Sequence, residues 1–204
     1  MYSGGKKLQY TFDTEIFEQR PDKLRVNARG DLLDKQFFFD GKAFTLYDVA
    51  HQVYATAAFP GDSEGALEHA DQKLGFRVAL EDFASPKLCE HLAHGQKHAR
   101  YVGASTVQGV PTAHLAFDRD IQLQVWIASG PKPFPVKPLI NQKNLHGSPQ
   151  WTAYISDLNT KPKLEPATFL FSPPVGAQPI KFLPLRLKTP AQATAQPTKT
   201  GEKP

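Results

Sequence analysis

Apolar and polar residues alternate with a period of two along most of this chain, a pattern that predicts strands in preference to helices. In LQYTFDTEIF, Leu8, Tyr10, Phe12 and Ile16 fall on one face, with Gln9, Thr11, Asp13 and Glu15 on the other. Arg20, Pro21 and Asp22 make a corner, and LRVNAR repeats the alternation with Leu24, Val26 and Ala28 inward. QFFFDGKAFTLYD reads as two strands joined at Asp40-Gly41, a hairpin dipeptide because both residues tolerate positive φ. QVYATA continues the meander.

The period changes between Pro60 and Gly95. SEGALEHADQKLG places Ala66, Leu67, Ala70 and Leu74 at helical spacing, with Asp62 or Ser63 as the cap and Gly75 as the stop. Ser85-Pro86 is a good cap and first-turn pair for a second short helix that ends at Gly95. Strands resume with RYVGASTV, and the Gln108-Gly109 turn leads into VPTAHLAF, where Ala113, Leu115 and Phe117 share a face. In IQLQVWI, Leu123, Val125 and Ile127 oppose Gln122, Gln124 and Trp126. PKPFPVKPLI carries prolines at near-alternate positions, which assigns it to an edge, a bulge or a loop. QWTAYISDL reads as another strand. In residues 164–183 a strand (TFLFSPP), a di-proline corner and a closing strand (PIKFL) complete the sheet.

The expected organisation is therefore a disordered start or turn over residues 1–7, one domain over 8–188 and a disordered tail over 189–204, where TPAQATAQPTKTGEKP has almost no large apolar residue. A length of 204 residues with 40% hydrophobic and 11% aromatic residues suits one larger β-rich domain with a real core. The net charge of +4 suggests nucleic acid until its placement is considered. From Leu185 onward, Arg186, Lys188, Lys199 and Lys203 stand against Glu202, a net of +3 that leaves +1 for the body. A nucleic-acid groove needs clustered positive charge on the folded surface, so no nucleic-acid partner is expected. The single cysteine, Cys89, forms no internal disulfide. No apolar run approaches the ~20 residues that span a bilayer, and MYSGGKKLQY shows no h-region, so neither a transmembrane segment nor a signal peptide is read in the sequence as given.

Candidate chemistry is sparse. Cys89, His91, His94 and His98 are residue types that bind zinc, and His91 and His94 could share a helical face, but a helix stop at Gly95 puts His98 in the following connection. Histidines near a helix C-terminus also interact favourably with the dipole there, and no metal is expected. Ser105, Ser148 and Ser156 lack a nucleophile-elbow context, and the pairs Glu15 with Glu18 and Asp118 with Asp120 read as solvated charge on strand faces or turns. Gly4-Gly5 with Lys6 lacks the flanking strand and helix of a phosphate loop. The reading is of a protein that is not an enzyme and carries no cofactor. Lys23, Arg25, Arg29 and Lys42 could form a patch for anionic headgroups, or simply the outward half of amphipathic strands. Pro131, Pro133, Pro135 and Pro138 fit a connecting loop better than a polyproline ligand.

Several short motifs occur in a shared order: Arg20-Pro21-Asp22-Lys23-Leu24-Arg25, Phe39-Asp40-Gly41-Lys42, Phe44-Thr45-Leu46-Tyr47-Asp48, Val53-Tyr54-Ala55, Gly109-Val110-Pro111, His114-Leu115-Ala116-Phe117, Trp126-Ile127, Gly147-Ser148-Pro149-Gln150 and residues 169–177. Through them, from about Leu8 to Pro184, the chain resembles a family of predicted periplasmic bacterial proteins of unknown function in the lipoprotein-carrier class, the LolA/LolB-like half-barrels. The resemblance implies an α+β fold, mainly β, in which a strongly curved antiparallel sheet wraps around two or so helices with an apolar hollow on its concave face. In the carriers such a hollow holds acyl chains. Members usually begin with a signal peptide, a helix and a first strand. This sequence starts in what looks like the turn after that strand, so a start within a longer chain is expected, with residues 8–19 left as an open edge.

The resemblance also implies a role for Arg20, which matches an arginine near the cavity mouth of the carriers. The alternative is a turn arginine paired with Asp22 or a carbonyl. The expected function is non-enzymatic binding of an acyl chain, lipid or lipoprotein anchor in the periplasm, with Arg20 at the rim and Tyr10, Phe12, Leu24, Val26, Phe38, Leu46 and Phe169 lining the hollow. The rival is a protein-interaction module, an envelope sensor or assembly factor, whose inward aromatics fill a solid core. An open apolar cavity would favour the first, and a sheet packed solid against its helices the second.

Overall fold

The computed structural model describes residues 2–3, 6–74, 98–118 and 122–183. In chain order these form β1 (Tyr2–Ser3), β2 (Lys6–Lys7), β3 (Phe12–Gln19), β4 (Lys23–Gly30), β5 (Asp34–Phe39), β6 (Ala43–Asp48), β7 (Val53–Ala58), α1 (Ser63–Leu74), β8 (His98–Val107), β9 (Val110–Asp118), β10 (Gln122–Ala128), β11 (Pro135–Asn141), β12 (Gln150–Thr152), a 3-10 turn (Pro166–Phe169) and β13 (Gln178–Pro179). The chain is mainly β, as expected. The described strands hydrogen-bond into a two-stranded ribbon, a five-stranded sheet and a six-stranded sheet, with no closed barrel among them. Contacts divide the chain into two compact units, Met1–Thr11 with Asp82–Glu165 and Phe12–Glu81 with Pro166–Pro204. The second predicted helix, between Ser85 and Gly95, lies outside the described residues.

In the second unit the strand order is β13-β7-β6-β5-β4-β3, antiparallel throughout except for β13, which runs parallel to β7. The Asp40-Gly41 hairpin forms where the sequence puts it: Gly41 takes φ 89°, and Asp40 Oδ1 accepts the amides of Lys42 (2.9 Å) and Ala43 (3.0 Å). Cross-strand register aligns Leu24 with Phe39 and Val26 with Phe37 between β4 and β5, then Phe39 with Phe44 and Phe37 with Leu46 between β5 and β6. These side chains therefore share one face. There Leu24, Val26, Phe37, Phe39 and Phe44 bury against Ala66, Leu67 and Ala70 of α1, the apolar stripe that the helical spacing predicts. The cap of α1 is Asp62, whose Oδ1 accepts the amide of Gly65 at 2.8 Å.

The edge strand β3 is only half covered, as an outermost strand with one neighbour must be. Phe12 is half-buried, but Ile16 is exposed, and Leu8 and Tyr10 precede the strand and are exposed too. The inward row expected from the alternation of residues 8–16 is thus not an inward row. The segment TFLFSPP is not a strand either. Pro166 opens a 3-10 turn, and Pro173 and Pro174 lack the N–H that a sheet ladder needs, so the chain crosses the second face of the sheet without joining it. Of the expected closing strand PIKFL only Pro179 falls in a strand, β13, which pairs through Gln178 N to Gln52 O (2.8 Å) and Ile180 N to Tyr54 O (2.7 Å). Phe182 then packs on Phe44, on the helix side. Residues 166–182 therefore strap around the β7 edge, from one face to the other.

In the first unit the order is β12-β11-β10-β9-β8. Gln108 and Gly109 both take positive φ (48° and 81°) at the tight β8–β9 turn. Of the edge, bulge or loop expected for the proline-rich segment, the structure shows an irregularity of the bulge kind within an interior strand: the register with β10 shifts between the Trp126–Lys137 and Ile127–Pro135 pairs. Pro138 is fully buried, and its carbonyl accepts the amide of Ala153 at 3.1 Å. Because carbonyl and nitrogen of a strand residue point the same way, the missing donor faces β12, and the β12 ladder ends at Thr152 for want of it. A small core forms from Val107, Ala128 and Val136 with Val110, Trp126 and Phe134. Beside it His114 stacks on Trp126 (4.0 Å between centroids, 11° between planes), and Lys137 Nζ lies 4.3 Å over the same indole.

Candidate functional site

The second face of the six-stranded sheet is one place where the described residues leave room for a ligand. Period-two alternation turns Phe38, Thr45, Tyr47, Tyr54 and Thr56 away from the helix-packed face, and register aligns Phe38 with Thr45, Thr45 with Thr56 and Tyr47 with Tyr54. Over this face lies the strap. Phe169 is buried, and the ring of Phe171 sits against Phe38, Tyr47 and Tyr54 with centroids 5.3, 5.5 and 5.0 Å away.

Between strap and sheet is a half-open groove of about 300 Å³, lined by Phe38, Asp40, Ala43, Thr45, Tyr54, Thr56, Phe169, Leu170, Phe171 and Pro173. Its walls combine four aromatic rings, of Phe38, Tyr54, Phe169 and Phe171, with the polar side chains of Asp40, Thr45 and Thr56. Its polar atoms are partly spoken for: Thr45 Oγ1 and Thr56 Oγ1 bond each other at 2.8 Å, and Asp40 Oδ1 holds the hairpin amides. Arg25 stands beside the lining. Its guanidinium lies 4.8 Å from the Phe38 ring centroid, Nε donates to Asn27 Oδ1 (3.0 Å), and a terminal nitrogen donates to the Thr168 carbonyl (3.4 Å). Asn27 in turn donates to Glu15 Oε2 (3.1 Å), so a polar chain runs from the edge strand to the start of the strap.

The residues proposed from the sequence are thus distributed over four places. Phe38 and Phe169 meet in the groove. Leu24 and Val26 belong to the helix-packed core, and Leu46 and Phe12 share their face by register. Arg20 is exposed in the β3–β4 turn, where Nε donates to Glu18 Oε1 at 3.0 Å. Tyr10 belongs to the other unit. Sequence reasoning missed Tyr47, Tyr54 and Phe171, and named Arg25 only within a possible patch for anionic headgroups. The run Phe37-Phe38-Phe39 carried the signal, because three successive large apolar residues in a strand require burial on both faces.

Among the described residues no group of three or more His, Cys, Asp and Glu side chains converges as a metal site, and no helix is long and apolar enough to cross a membrane. Cys89, His91 and His94, and the side chain of His98, lie outside the described residues. No curated protein matches the chain significantly. Residues 1–183 match the family model described as "Predicted periplasmic protein (DUF2092)", and with nearly its whole length inside that match the chain belongs to this family of periplasmic proteins.

Proposed function

We propose that the protein is a non-enzymatic periplasmic binding protein that holds one acyl chain, of a lipid or lipoprotein anchor, on the aromatic second face of its six-stranded sheet, in the manner of the LolA/LolB-like carriers. The observation that carries this reading is the groove of about 300 Å³ between Phe38, Tyr54 and the strap. That volume stands at the small end of ligand pockets, which suits a single chain segment. Each buried methylene contributes ~0.8 kcal/mol, so a segment of about eight methylenes gains roughly 6 kcal/mol before the cost of ordering it. In this reading Arg25, which contacts Phe38, rather than Arg20, is the cation available beside the chain.

A second reading, a protein-interaction module, draws on two other observations. The face that holds Leu24 and Val26 packs against α1, and Leu170 and Val175 of the strap, with Leu183 just after it, are exposed. Native mass spectrometry of protein purified from its own host, before and after organic extraction, separates the two. Release of a species in the lipid mass range supports acyl-chain binding. A ligand-free mass, with a partner recovered by crosslinking through the strap, supports the module and counts against the chain-binding reading.

A further inference from the structure

Phe171 occupies the best apolar seat on the open face of the sheet. Its ring is held by three aromatic side chains from three strands: Phe38 of β5, Tyr47 of β6 and Tyr54 of β7. Little else fixes its surroundings. Residues 170–177 contain Pro173 and Pro174, and their backbone hydrogen bonds are local, Leu170 N to Ala167 O and Ala177 N to Pro174 O. Backbone pairing to the sheet resumes only at Gln178. The flanking apolar residues face solvent, with Leu170 at 54% and Val175 at 102% exposure. The segment is thus anchored at Phe169 and at β13, with one aromatic side chain inserted between.

We infer that Phe171 is an internal stand-in for the ligand: in the free protein it fills the Phe38–Tyr47–Tyr54 seat, and an incoming alkyl chain takes its place. This rests on the acyl-chain reading and adds to it the location of the chain terminus and the residue that opposes its entry. The 300 Å³ groove is then the part of the site already open, and the seat under Phe171 is continuous with it, since Phe38, Tyr54 and Phe171 belong to both. The chemistry of the seat is apolar and aromatic, so it takes a saturated alkyl end and not a headgroup.

The test uses the full-length protein and a dansyl-labelled undecanoic acid as the probe. Phe171→Ala removes the competitor, and the expected result is binding about tenfold tighter than wild type, the lower part of the range for burying an aromatic ring, because Phe171 is itself only half-buried. Equal or weaker binding by Phe171→Ala, with wild type still binding, makes Phe171 a fixed wall and overturns the inference while leaving the acyl-chain reading intact. Absence of binding by both proteins removes that reading and the inference with it. Phe171→Trp guards against a variant that fails to fold, because it keeps the seat filled. Addition of unlabelled decanoate should shift its extra emission to the red as the indole leaves the cage, against the baseline from Trp126 and Trp151. Displacement of the dansyl probe by decanoate without that shift overturns the inference equally.

Discussion

Asp48 lies at the β6–β7 turn, and its carboxylate collects three partners: the His51 ring through Nδ1 (3.0 Å), the His51 amide (3.1 Å) and Lys35 Nζ (3.3 Å). Partial burial pushes its pKa up, but the hydrogen bonds from His51 and the contact with Lys35 outweigh that, and the carboxyl is held below its ordinary value of 3.8. A carboxyl depressed in the folded state contributes stability above its unfolded pKa and loses it as pH falls through the folded one. Asp48→Asn should therefore lower stability at pH 7 by about 1 kcal/mol, a modest figure because the His51 side chain is largely in water and that of Lys35 partly so. Urea melts at pH 7 and pH 3 check this, for the gap between wild type and variant should shrink at pH 3. An unchanged gap would mean that the partners act by shape and not by charge. The arginines show how little of this is visible in one dimension. Arg20 drew attention through its neighbour Pro21, yet it pairs locally with Glu18, whereas Arg25, an ordinary outward strand position by sequence, reaches a carbonyl 143 residues away.

Among elements, those set by local chemistry were legible. Asp40-Gly41 and Gln108-Gly109 mark their turns because positive φ strains most side chains, and Asp62 starts α1 because its carboxylate satisfies a free amide. At Gly41 two constraints coincide: φ is 89°, and an added Cβ would come within 2.7 Å of Asp22 Oδ2. Gly41→Ala should cost about 1–2 kcal/mol from the backbone alone, with displacement of Asp22 added to it. A lower denaturation midpoint at unchanged m-value is the expected signature, and a wild-type midpoint would show that the hairpin relaxes freely. The elements decided by distant partners were not legible. FLF in residues 169–171 looks like a strand, but it lies over the side chains of strands already paired with one another, where no ladder is open to it, and prolines at 166, 173 and 174 flank it. Pro138 looks like an edge residue, yet it sits inside a sheet because its missing donor faces the one strand short enough to do without it.

At the scale of the molecule, hydrophobic pattern specified the β class but not how strands divide between sheets, since alternation reports which face is buried and not which strand lies beside it. The same ambiguity split the candidate site. Phe38 and Phe169 lie together in the groove, while Leu24 and Val26, equally apolar and equally alternating, face α1. The six-stranded sheet has a core on each face, and the strap serves both, through Phe169 and Phe171 on one side and Phe182 on the other. Loss of a fully buried phenylalanine such as Phe169 costs about 3–5 kcal/mol, the half-buried Phe171 and Phe182 add less each, and a domain commonly holds only 5–15 kcal/mol in total. A chain ending at Glu165 loses all three aromatics and the β13 edge together, which exceeds what that sheet can spare. The five-stranded sheet loses none of its strands and keeps the Val107, Ala128 and Val136 core. Hydrogen exchange of the truncated chain should therefore show β5 and β6 unprotected with β9 and β10 still protected. Retained protection in β5 and β6 would demote the strap to a passive covering, and loss of protection in β9 and β10 as well would show that the two units fold as one.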